Sequence, residues 1–290
     1  MSVPYQSAEQ AVKIVQSGQR IFLHGSAATP TTLLNALVKR SPELRNVELV
    51  AISTLGELEI TKSAYAASFY FNSLFVSANI REAVNTGRGD YIPIFLSEIS
   101  RLFDKKILPL DVAFLHVSPP DKHGFCSFGT SIDVARSAAK NAKHIIAQIN
   151  PNMPRTHGDG FIHMSRFDAM VLCEDVLPEV NYGAQLTDED LKIGRNIADL
   201  VEDRSTLQMG IGTIPDAALK SLGHCKDLGV HTEMFSDGVM DLLNKGVITN
   251  AYKKKHPGKV VSGFVIGTRK LYNFLDDNPQ FAFLEASYVN

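Results

Sequence analysis

The sequence has few cysteines, little net charge and no long hydrophobic run, and each shortage excludes a class of protein. Its three cysteines, Cys126, Cys173 and Cys225, lie far apart without a CxxC pair. That spacing argues against a disulfide framework and a cysteine zinc site, and it suits a reducing compartment. A formal net charge of −2 gives no electrostatic basis for binding nucleic acid or an anionic membrane. No apolar run is long enough to cross a bilayer.

What remains is the composition of an ordinary globular protein. Hydrophobic residues make up 44% of the chain, which is enough for an ample core, and 290 residues favour two domains over one. Residues 1–20 have an amphipathic helical pattern and lack the continuous apolar core of a signal peptide. Together these features predict a cytoplasmic protein.

Short apolar runs alternate with helical patterns in the first half of the chain. Helices are expected at 29–41 and 131–142, and strands at 20–25, 47–53, 91–96, 112–118 and 144–150. Strands that alternate with helices imply βαβ units. The sequence therefore predicts an α/β fold with an open, mostly parallel sheet covered by helices.

A second series of elements begins near residue 186. Residues 186–205 predict a helix, because Thr187 can cap its start and acids at 188–190 occupy its first turn. Strand-like segments follow at 206–212, 228–233, 259–267 and 281–290. Since 176–185 is polar and turn-rich, we expect two domains, 1–185 and 186–290.

The two series resemble each other in sequence. Laying 22–37 on 207–222 aligns a glycine, a proline and two leucines, namely Gly25 with Gly210, Pro30 with Pro215, Leu34 with Leu219 and Leu37 with Leu222. Each segment reads as a strand, a glycine-bearing loop, a proline near the first helical position and an amphipathic helix. The match favours two related α/β halves.

The loop GIGTIP, residues 210–215, is the first candidate for function. A glycine-containing loop from a strand into a helix exposes backbone N–H groups at the positive end of the helix dipole, which suits a phosphate or an oxyanion. Pro215 stands where a dinucleotide fingerprint needs its third glycine, and no Walker lysine follows. By its spacing alone, the loop is better explained as an ordinary tight turn.

Glu233 is the second candidate, because it lies where a predicted strand ends. Strand ends on one edge of a parallel sheet are neighbours, so Glu233 is expected close to the loop that begins at Gly210. A carboxylate in a water-poor cleft can act as a nucleophile on an activated acyl group. Without a wider pattern, a solvated surface acid is the simpler interpretation.

Three further motifs are better explained by structure than by catalysis. Residues 118–129 carry His123 and Cys126, but no third group orients them as a nucleophile pair, so a rigid loop lining a site is expected. His157, Asp159 and His163 match no zinc spacing, and no metal site is predicted. The basic run 253–256 is interpreted as a solvated loop that could also attract nucleotide phosphates.

Taken together, the long motifs resemble the acetyl-CoA hydrolase/transferase family, which contains 4-hydroxybutyrate and butyrate–acetate CoA-transferases. The resemblance covers the whole chain and is nearest to the 4-hydroxybutyrate branch. It is carried by HVSPPDKHGFCSFGTSIDVARSAAKNA, INPNMPRTHGDGFIH, LQMGIGTIPDAAL, GVHTEMFSDGVMDLLNKGVITN and HPGKVVSGFVIGTRKLYNFLDDNP.

This resemblance implies a fold, a reaction and site residues. It implies two domains of the CoA-transferase type, and a transfer of CoA from an acyl-CoA to a short-chain carboxylate through a thioester on Glu233. The CoA-binding loop is expected at Gly210, Ile211, Gly212, Thr213 and Ile214. CoA thioester is then a substrate, and neither a metal nor a permanently bound cofactor is expected. A homo-oligomer is also implied.

Family members usually continue well beyond the segment that matches EASYVN, residues 285–290. The second domain is therefore expected to be incomplete here, and the site to need a C-terminal region. Two alternatives stay open, an acyl-CoA hydrolase and a non-catalytic CoA-binding half that works with a separate partner.

Overall fold

Seven parallel strands form the largest sheet of the computed structural model, which describes residues 4–290. The strands of this first region are Arg20–Leu23 (β1), Val47–Ala51 (β2), Phe69–Ser73 (β3), Gly89–Tyr91 (β4), Val112–Val117 (β5), Phe125–Ser127 (β6), His144–Ile149 (β7), Phe161–His163 (β8) and Ala169–Leu172 (β9). Across the sheet the order is β4-β3-β2-β1-β5-β7-β9. Strands β6 and β8 form a separate antiparallel ribbon.

Helices cover this sheet, as the α/β prediction requires. They are Ala8–Ala11 (α1), Thr31–Val38 (α2), Arg81–Asn85 (α3), Leu96–Asp104 (α4) and Ala135–Asn141 (α5). Helix α1 starts with a capping box between Ser7 and Gln10, and a 3₁₀ turn, Val12–Ile14, follows it. Further 3₁₀ turns lie at Glu59–Thr61, Ser63–Tyr65, Met164–Arg166, Tyr182–Gln185 and Leu222–His224.

The core lies in two hydrophobic layers on opposite faces of the sheet. Ile21 and Phe114 belong to one layer, whereas their chain neighbours Phe22 and Leu115 belong to the other. This alternation follows from the pleat, which directs successive side chains to opposite faces. Because both faces are covered, all six residues of β5 are buried.

The second region has shorter strands between its helices. Its elements are Asp188–Ala198 (α6), Thr206–Leu207 (β10), Thr213–Ser221 (α7), Gly229–Val230 (β11), Met234–Phe235 (β12), Asp237–Asn244 (α8), Val260–Ser262 (β13), Phe264–Val265 (β14), Arg269–Leu275 (α9), Phe281–Phe283 (β15) and Ala286–Val289 (α10). The pairs β10–β11, β12–β14 and β13–β15 are all parallel. A parallel bridge between His231 and Val261 joins β11 to β13, so these strands form one interrupted sheet.

Several predicted elements are confirmed and others are wrong. Strands β1, β2, β5 and β7 lie within their predicted segments, and Thr187 caps α6 in a capping box with Asp190. The predicted strand at 91–96 is wrong, since β4 ends at Tyr91 and α4 begins at Leu96. Pro93 within it cannot donate to a strand ladder. The C-terminal segment is strand only to Phe283, and a helix follows.

Other comparisons with the prediction concern the first region and its boundary with the second. Strand β3 was not predicted, although Phe69 and Phe71 alternate into the core. Residues 1–3 of the predicted N-terminal helix lie outside the described residues. The domain boundary at 185 falls between β9 and α6 and stays a prediction. Within the described chain, no helix combines the length and apolar character of a membrane span.

Candidate active site

Glu233 lies at a break in a strand. The sequence predicted that this strand ends at Glu233, but the chain leaves β11 at Val230 and resumes pairing as β12 at Met234. At the break, the carbonyl oxygen of Glu233 accepts hydrogen bonds from the N–H groups of Gly263, at 2.8 Å, and Phe264, at 3.1 Å. Two donors on one acceptor are a bulge-like irregularity, which is a common device for re-aiming a side chain near an active site.

Gly263 makes the matching break in the partner strand, between β13 and β14. A Cβ atom at Gly263 would lie 3.1 Å from the carbonyl oxygen of Glu233, which is tighter than ordinary contact. The hydroxyl of Ser262 also donates to that oxygen, at 3.0 Å. The backbone of Glu233 is therefore held by three donors, which leaves its side chain free for other contacts.

Thr232 fastens the strand of Glu233 to the glycine loop. Its buried hydroxyl oxygen lies 3.0 Å from the backbone nitrogen of Met209, from which it accepts, and 2.8 Å from the carbonyl oxygen of the same residue. It also lies 2.9 Å from the carbonyl oxygen of Met234. Since Met209 immediately precedes Gly210, these contacts bring the loop and Glu233 to the same edge of the paired strands β10 and β11.

The glycine loop turns sharply into α7. Gly212 has φ +127° and ψ −179°, a conformation that residues with a side chain rarely adopt. Among residues 4–290, no acceptor takes a hydrogen bond from the backbone N–H groups of residues 210–214. These donors point from the positive end of α7, so the loop is suited to an anion or to a developing oxyanion.

Asp216 anchors the first turn of α7 to the residue after β12. Its buried carboxylate accepts a hydrogen bond from the hydroxyl of Ser236. Burial raises the pKa of Asp216, and the nearby carboxylates of Asp237 and Asp241 raise it further. This contact fixes the orientation of α7 relative to the strand that carries Glu233.

A cavity of about 630 Å³ separates the two regions and collects the predicted site residues. Glu233, Gly210 and Ile211 line it from the second region, whereas Gly212, Thr213 and Ile214 do not line it. The hydroxyl of Thr213 instead donates to Asp190, at 3.3 Å. The structure thus brings the carboxylate together with the first two residues of the glycine loop.

The opposite wall of the cavity comes from the carboxyl ends of the large sheet. Ile52 and Leu55 follow β2, Leu74 and Phe75 follow β3, and Phe95 precedes α4. Crevices outside the carboxyl ends of parallel strands are where α/β proteins bind ligands. Sequence reasoning missed this wall because β3 was not recognised, although the residues after β2 could have been found by the strand-end rule.

One polar side chain contacts Glu233, and another, that of His231, lies two residues before it in the chain. The side-chain amide of Asn290 donates a hydrogen bond to the Oε2 atom of Glu233, at 2.9 Å. The imidazole of His231 stacks on Tyr288, with ring centroids 6.2 Å apart. Burial, followed by the positive charge of Lys253, lowers the pKa of His231 and favours the neutral imidazole. Sequence reasoning assigned no role to these neighbours.

The remaining candidate motifs lie elsewhere. Burial raises the pKa of Cys126 to about 12, so it remains a thiol at neutral pH, as a structural role requires. The Nε2 atom of His157 lies 3.0 Å from Asp277, and that of His163 lies 3.1 Å from the carbonyl oxygen of His123. In the described part of the chain, no three His, Cys, Asp or Glu side chains are grouped as metal ligands.

One residue of the basic run differs from its prediction. Lys254 and Lys255 are exposed, but Lys253 is buried. Its ammonium group donates to the carbonyl oxygens of Val230, at 2.5 Å, and Lys259, at 2.6 Å. Burial lowers the pKa of Lys253 to about 8. This lysine therefore joins β11 to the segment before β13 and does not belong to a solvated loop.

Comparison with known proteins identifies relatives across the chain. The chain is 46% identical over 284 residues to the 4-hydroxybutyrate coenzyme A transferase of Clostridium kluyveri, covering 98% of this chain and 66% of that protein. It is 47% identical over 287 residues to the succinyl-CoA:acetate/propanoyl-CoA:succinate CoA transferase of Fasciola hepatica, covering 98% and 59%. The crystal structure of RipA from Yersinia pestis matches with a TM-score of 0.93 and 31% identity, covering 98% and 69%.

These relatives are longer than this chain, which spans about two thirds of the first and less of the second. The family model for the acetyl-CoA hydrolase/transferase N-terminal domain matches residues 4–181. That match covers more than half of the sequence and agrees with the α/β architecture of the first region. The chain belongs to the acetyl-CoA hydrolase/transferase family.

Proposed function

We propose that this protein is a CoA-transferase that moves CoA between an acyl-CoA and a short-chain carboxylate through a thioester on Glu233. The observation that carries the proposal is the cavity in which Glu233 lies beside the unpaired N–H groups of the glycine loop. A carboxylate next to fixed donors is the arrangement that acyl transfer needs, because the donors stabilise charge on the attacked carbonyl oxygen.

The proposed reaction has two halves, each of which conserves the thioester. The carboxylate of Glu233 attacks the thioester carbonyl, the C–S bond breaks, and a mixed anhydride and CoA thiolate result. The thiolate then attacks the glutamyl carbonyl of the anhydride, which leaves CoA on Glu233 as a thioester and releases the first acid. An acceptor carboxylate reverses these steps and departs with CoA. No permanently bound cofactor takes part.

The apolar wall of the cavity has a role in this chemistry. A carboxylate is a weak nucleophile in water, and water that reached the anhydride or the enzyme thioester would hydrolyse it. Phe75 and Phe95, from the first region, add apolar surface to the cavity, and both side chains are more than half exposed in this chain. Access of water therefore decides between a transferase and a hydrolase, and the same residues would serve both.

The relatives suggest the substrates, which we propose are acetyl-CoA with 4-hydroxybutyrate or butyrate. 4-Hydroxybutyrate appears in the name of the Clostridium kluyveri relative, and butyryl-CoA and acetate in that of a relative from Anaerostipes caccae that is 36% identical. We propose that the part of these relatives not covered by this chain completes the CoA site. Assembly of the protein as a homo-oligomer is part of the same proposal.

The test measures CoA transfer from butyryl-CoA to acetate by the 290-residue chain. The same assay is run on a chimaera that continues with the uncovered part of the Clostridium kluyveri relative. Glu233→Gln keeps the shape of the side chain and removes the nucleophile, so transfer should fall to background while CoA still binds. Glu43→Gln, an exposed glutamate outside the cavity, is the matched control and should retain full activity.

The possible outcomes separate the proposal from its alternatives. Near-normal transfer by Glu233→Gln would exclude Glu233 as the nucleophile. Release of CoA at the same rate without an acceptor would identify a hydrolase. Transfer by the chimaera alone would support the proposal that the uncovered part completes the CoA site, whereas transfer by a chimaera that carries Glu233→Gln would reduce this chain to a non-catalytic CoA-binding half.

A further inference from the structure

Segment 130–133, which follows β6 in the first region, pairs with the strand break of the second region that carries Glu233. The N–H groups of Ile132, at 3.0 Å, and Asp133, at 3.2 Å, both donate to the carbonyl oxygen of Gly263. The N–H group of Gly263 in turn donates to the carbonyl oxygen of Glu233, at 2.8 Å. Gly263 is therefore bonded on one side to the first region and on the other to the residue proposed as the nucleophile.

The pairing between the two regions extends beyond that glycine. Ser131 and Phe264 form an antiparallel bridge. The N–H group of Val265 donates to the carbonyl oxygen of Thr130, at 2.9 Å. Antiparallel pairing of this kind fixes which residues face each other, so the position of the break follows the position of the first-region segment.

A buried histidine directly after β1 fastens this segment to the large sheet. The Nε2 atom of His24 lies 2.6 Å from the carbonyl oxygen of Ser131, and because a carbonyl only accepts, Nε2 carries the proton. The Nδ1 atom accepts a hydrogen bond from the N–H group of His116, at 3.2 Å. Burial lowers the pKa of His24, which favours the neutral imidazole and preserves this arrangement of donor and acceptor.

The carboxylate of Asp133 restrains the same segment from within. It is buried, and it accepts hydrogen bonds from the hydroxyl of Ser131, at 2.6 Å, and from the N–H group of Val134. A buried carboxylate is costly unless donors satisfy it, and here both donors belong to neighbouring residues of the chain. These two bonds favour the conformation in which the N–H groups of the segment reach Gly263.

We infer that His24 and the Ser131–Asp133 pair are positioning residues for Glu233, which they hold through the backbone of the strand break. None of these three side chains lines the cavity, so they act on the reaction only through the placement of the carboxylate. The effect on turnover rests on the proposed function. A small displacement of a nucleophile lowers the rate of attack and leaves the binding of the distant parts of the substrate intact.

The kinetic test separates kcat from KM. Transfer from butyryl-CoA to acetate is measured with the 290-residue chain and with the chimaera, and the more active protein carries the variants. His24→Leu should lower kcat about tenfold and leave the KM for butyryl-CoA within about threefold. His24→Gln, whose amide nitrogen can replace the Nε2 donor, should recover most of the loss. A kcat of His24→Leu within about threefold of the unaltered protein would overturn the inference, as would an equal loss in His24→Gln.

Ser131→Ala is the milder variant, and it decides in the same way if His24→Leu does not fold. Its matched control is Ser137→Ala, on a buried serine of α5 whose hydroxyl contacts the carbonyl oxygen of Ser100. The control for His24→Leu is His116→Leu, because His116 is also buried but its ring contacts Asn150. Both controls should lower the urea midpoint and keep kcat within about threefold. A control that lost as much kcat as its partner would show that kcat follows general stability, and the inference would fail.

Amide hydrogen exchange on the 290-residue chain separates this inference from the proposed function, since it needs no turnover. It follows the N–H groups of Gly263 and Phe264, which donate to the carbonyl oxygen of Glu233. In His24→Leu these two amides should exchange at least about tenfold faster than in His116→Leu. If they do and neither the chain nor the chimaera transfers CoA, the positioning stands and the proposed function fails. Unchanged exchange would overturn the inference even if transfer occurs.

Discussion

The large sheet of the first region is regular, whereas the interrupted sheet of the second region is broken at the point where Glu233 lies. In the first, seven parallel strands end together at one edge, and the central ones are buried between two hydrophobic layers. In the second, strands of two or three residues break at Glu233 and Gly263. The regular region supplies a stable apolar wall, whereas the irregular region supplies a carboxylate and unpaired N–H groups.

The difference follows from how each region pairs its backbone hydrogen-bonding groups. A regular strand pairs every backbone group with its neighbours, so it has few free donors to offer a ligand. The break at Glu233 gives up part of this pairing, and Ser262, Gly263 and Phe264 compensate with three hydrogen bonds to one carbonyl. The proposed chemistry would therefore depend on local contacts in the second region more than on the large sheet.

The largest expected effect on transfer comes from shortening the side chain of Glu233. Glu233→Asp retains the charge but withdraws it by one methylene, and transfer should fall on the order of a hundredfold because attack geometry is tight. The measurement is kcat/KM with butyryl-CoA and acetate. Glu43→Asp should behave as the unaltered chain, and equal activity of the two variants would remove Glu233 from the reaction.

The next effect comes from releasing the glycine loop from the strand of Glu233. Thr232→Val removes the hydroxyl that bonds both backbone groups of Met209, so unfolding free energy should fall by about 1–3 kcal/mol. The displaced loop should also lower kcat by about tenfold. Thr206→Val is the matched control and should change neither quantity, because Thr206 is exposed and its hydroxyl makes no hydrogen bond within the described residues.

Thermal or urea unfolding together with turnover checks this prediction. If Thr232→Val loses stability and keeps its kcat, the contact is purely structural. Loop position would then not limit the reaction, and the contrast between the regions would be weaker than proposed.

A smaller effect concerns the buried lysine of the second region. Burial places the folded pKa of Lys253 at about 8, below its ordinary value of 10.5. Between these values the unfolded chain binds more protons than the folded chain, so this residue makes stability rise with pH from about 8 to 10.5. Urea midpoints at pH 7.5 and pH 10 should show the rise, and Lys253→Met should abolish this component.

Lys254→Met is the control for Lys253, since its side chain is exposed and its loss should leave the pH dependence unchanged. The same pH dependence in the chain and in Lys253→Met would mean that Lys253 titrates as it does in water. Its position between Val230 and Lys259 would then not be buried in solution.

The smallest effect is expected at Cys126. Its thiol is buried in β6 and has a pKa of about 12, so it is not a nucleophile near neutral pH. Cys126→Ser should keep kcat within about threefold, because substitutions away from reacting groups leave the chemistry intact. A loss of kcat comparable to that of Glu233→Gln, with stability preserved, would show that Cys126 takes part in catalysis.

Sequence patterns predicted the regular region better than the irregular one. Strands β1, β2, β5 and β7 are predominantly apolar, with one or two polar residues each, so their burial between two layers is visible in the sequence. Segment 91–96 is equally apolar, but Ile94 and Phe95 line a cavity and have no strand partner. Local composition cannot distinguish apolar residues that are buried in a strand from apolar residues that line a cavity.

The sequence predicted which chemical groups form the candidate site, but not the contacts that position them. Glu233 and Gly210 were found from motifs, whereas the Thr232 contacts and the cavity wall depend on residues distant in sequence. The burial of Lys253 is the clearest example. It requires Gly229, where a Cβ would lie 2.5 Å from the Cγ atom of Lys253, and no local pattern encodes that contact.

Trapping the enzyme thioester tests the central claim most directly. The 290-residue chain and the chimaera are incubated with butyryl-CoA without an acceptor, treated with borohydride or hydroxylamine, and digested for peptide mass analysis. The account predicts a modified Glu233 in the active protein and none in Glu233→Gln. Turnover with ¹⁸O from water in the product acid, and no modification at Glu233, would contradict it.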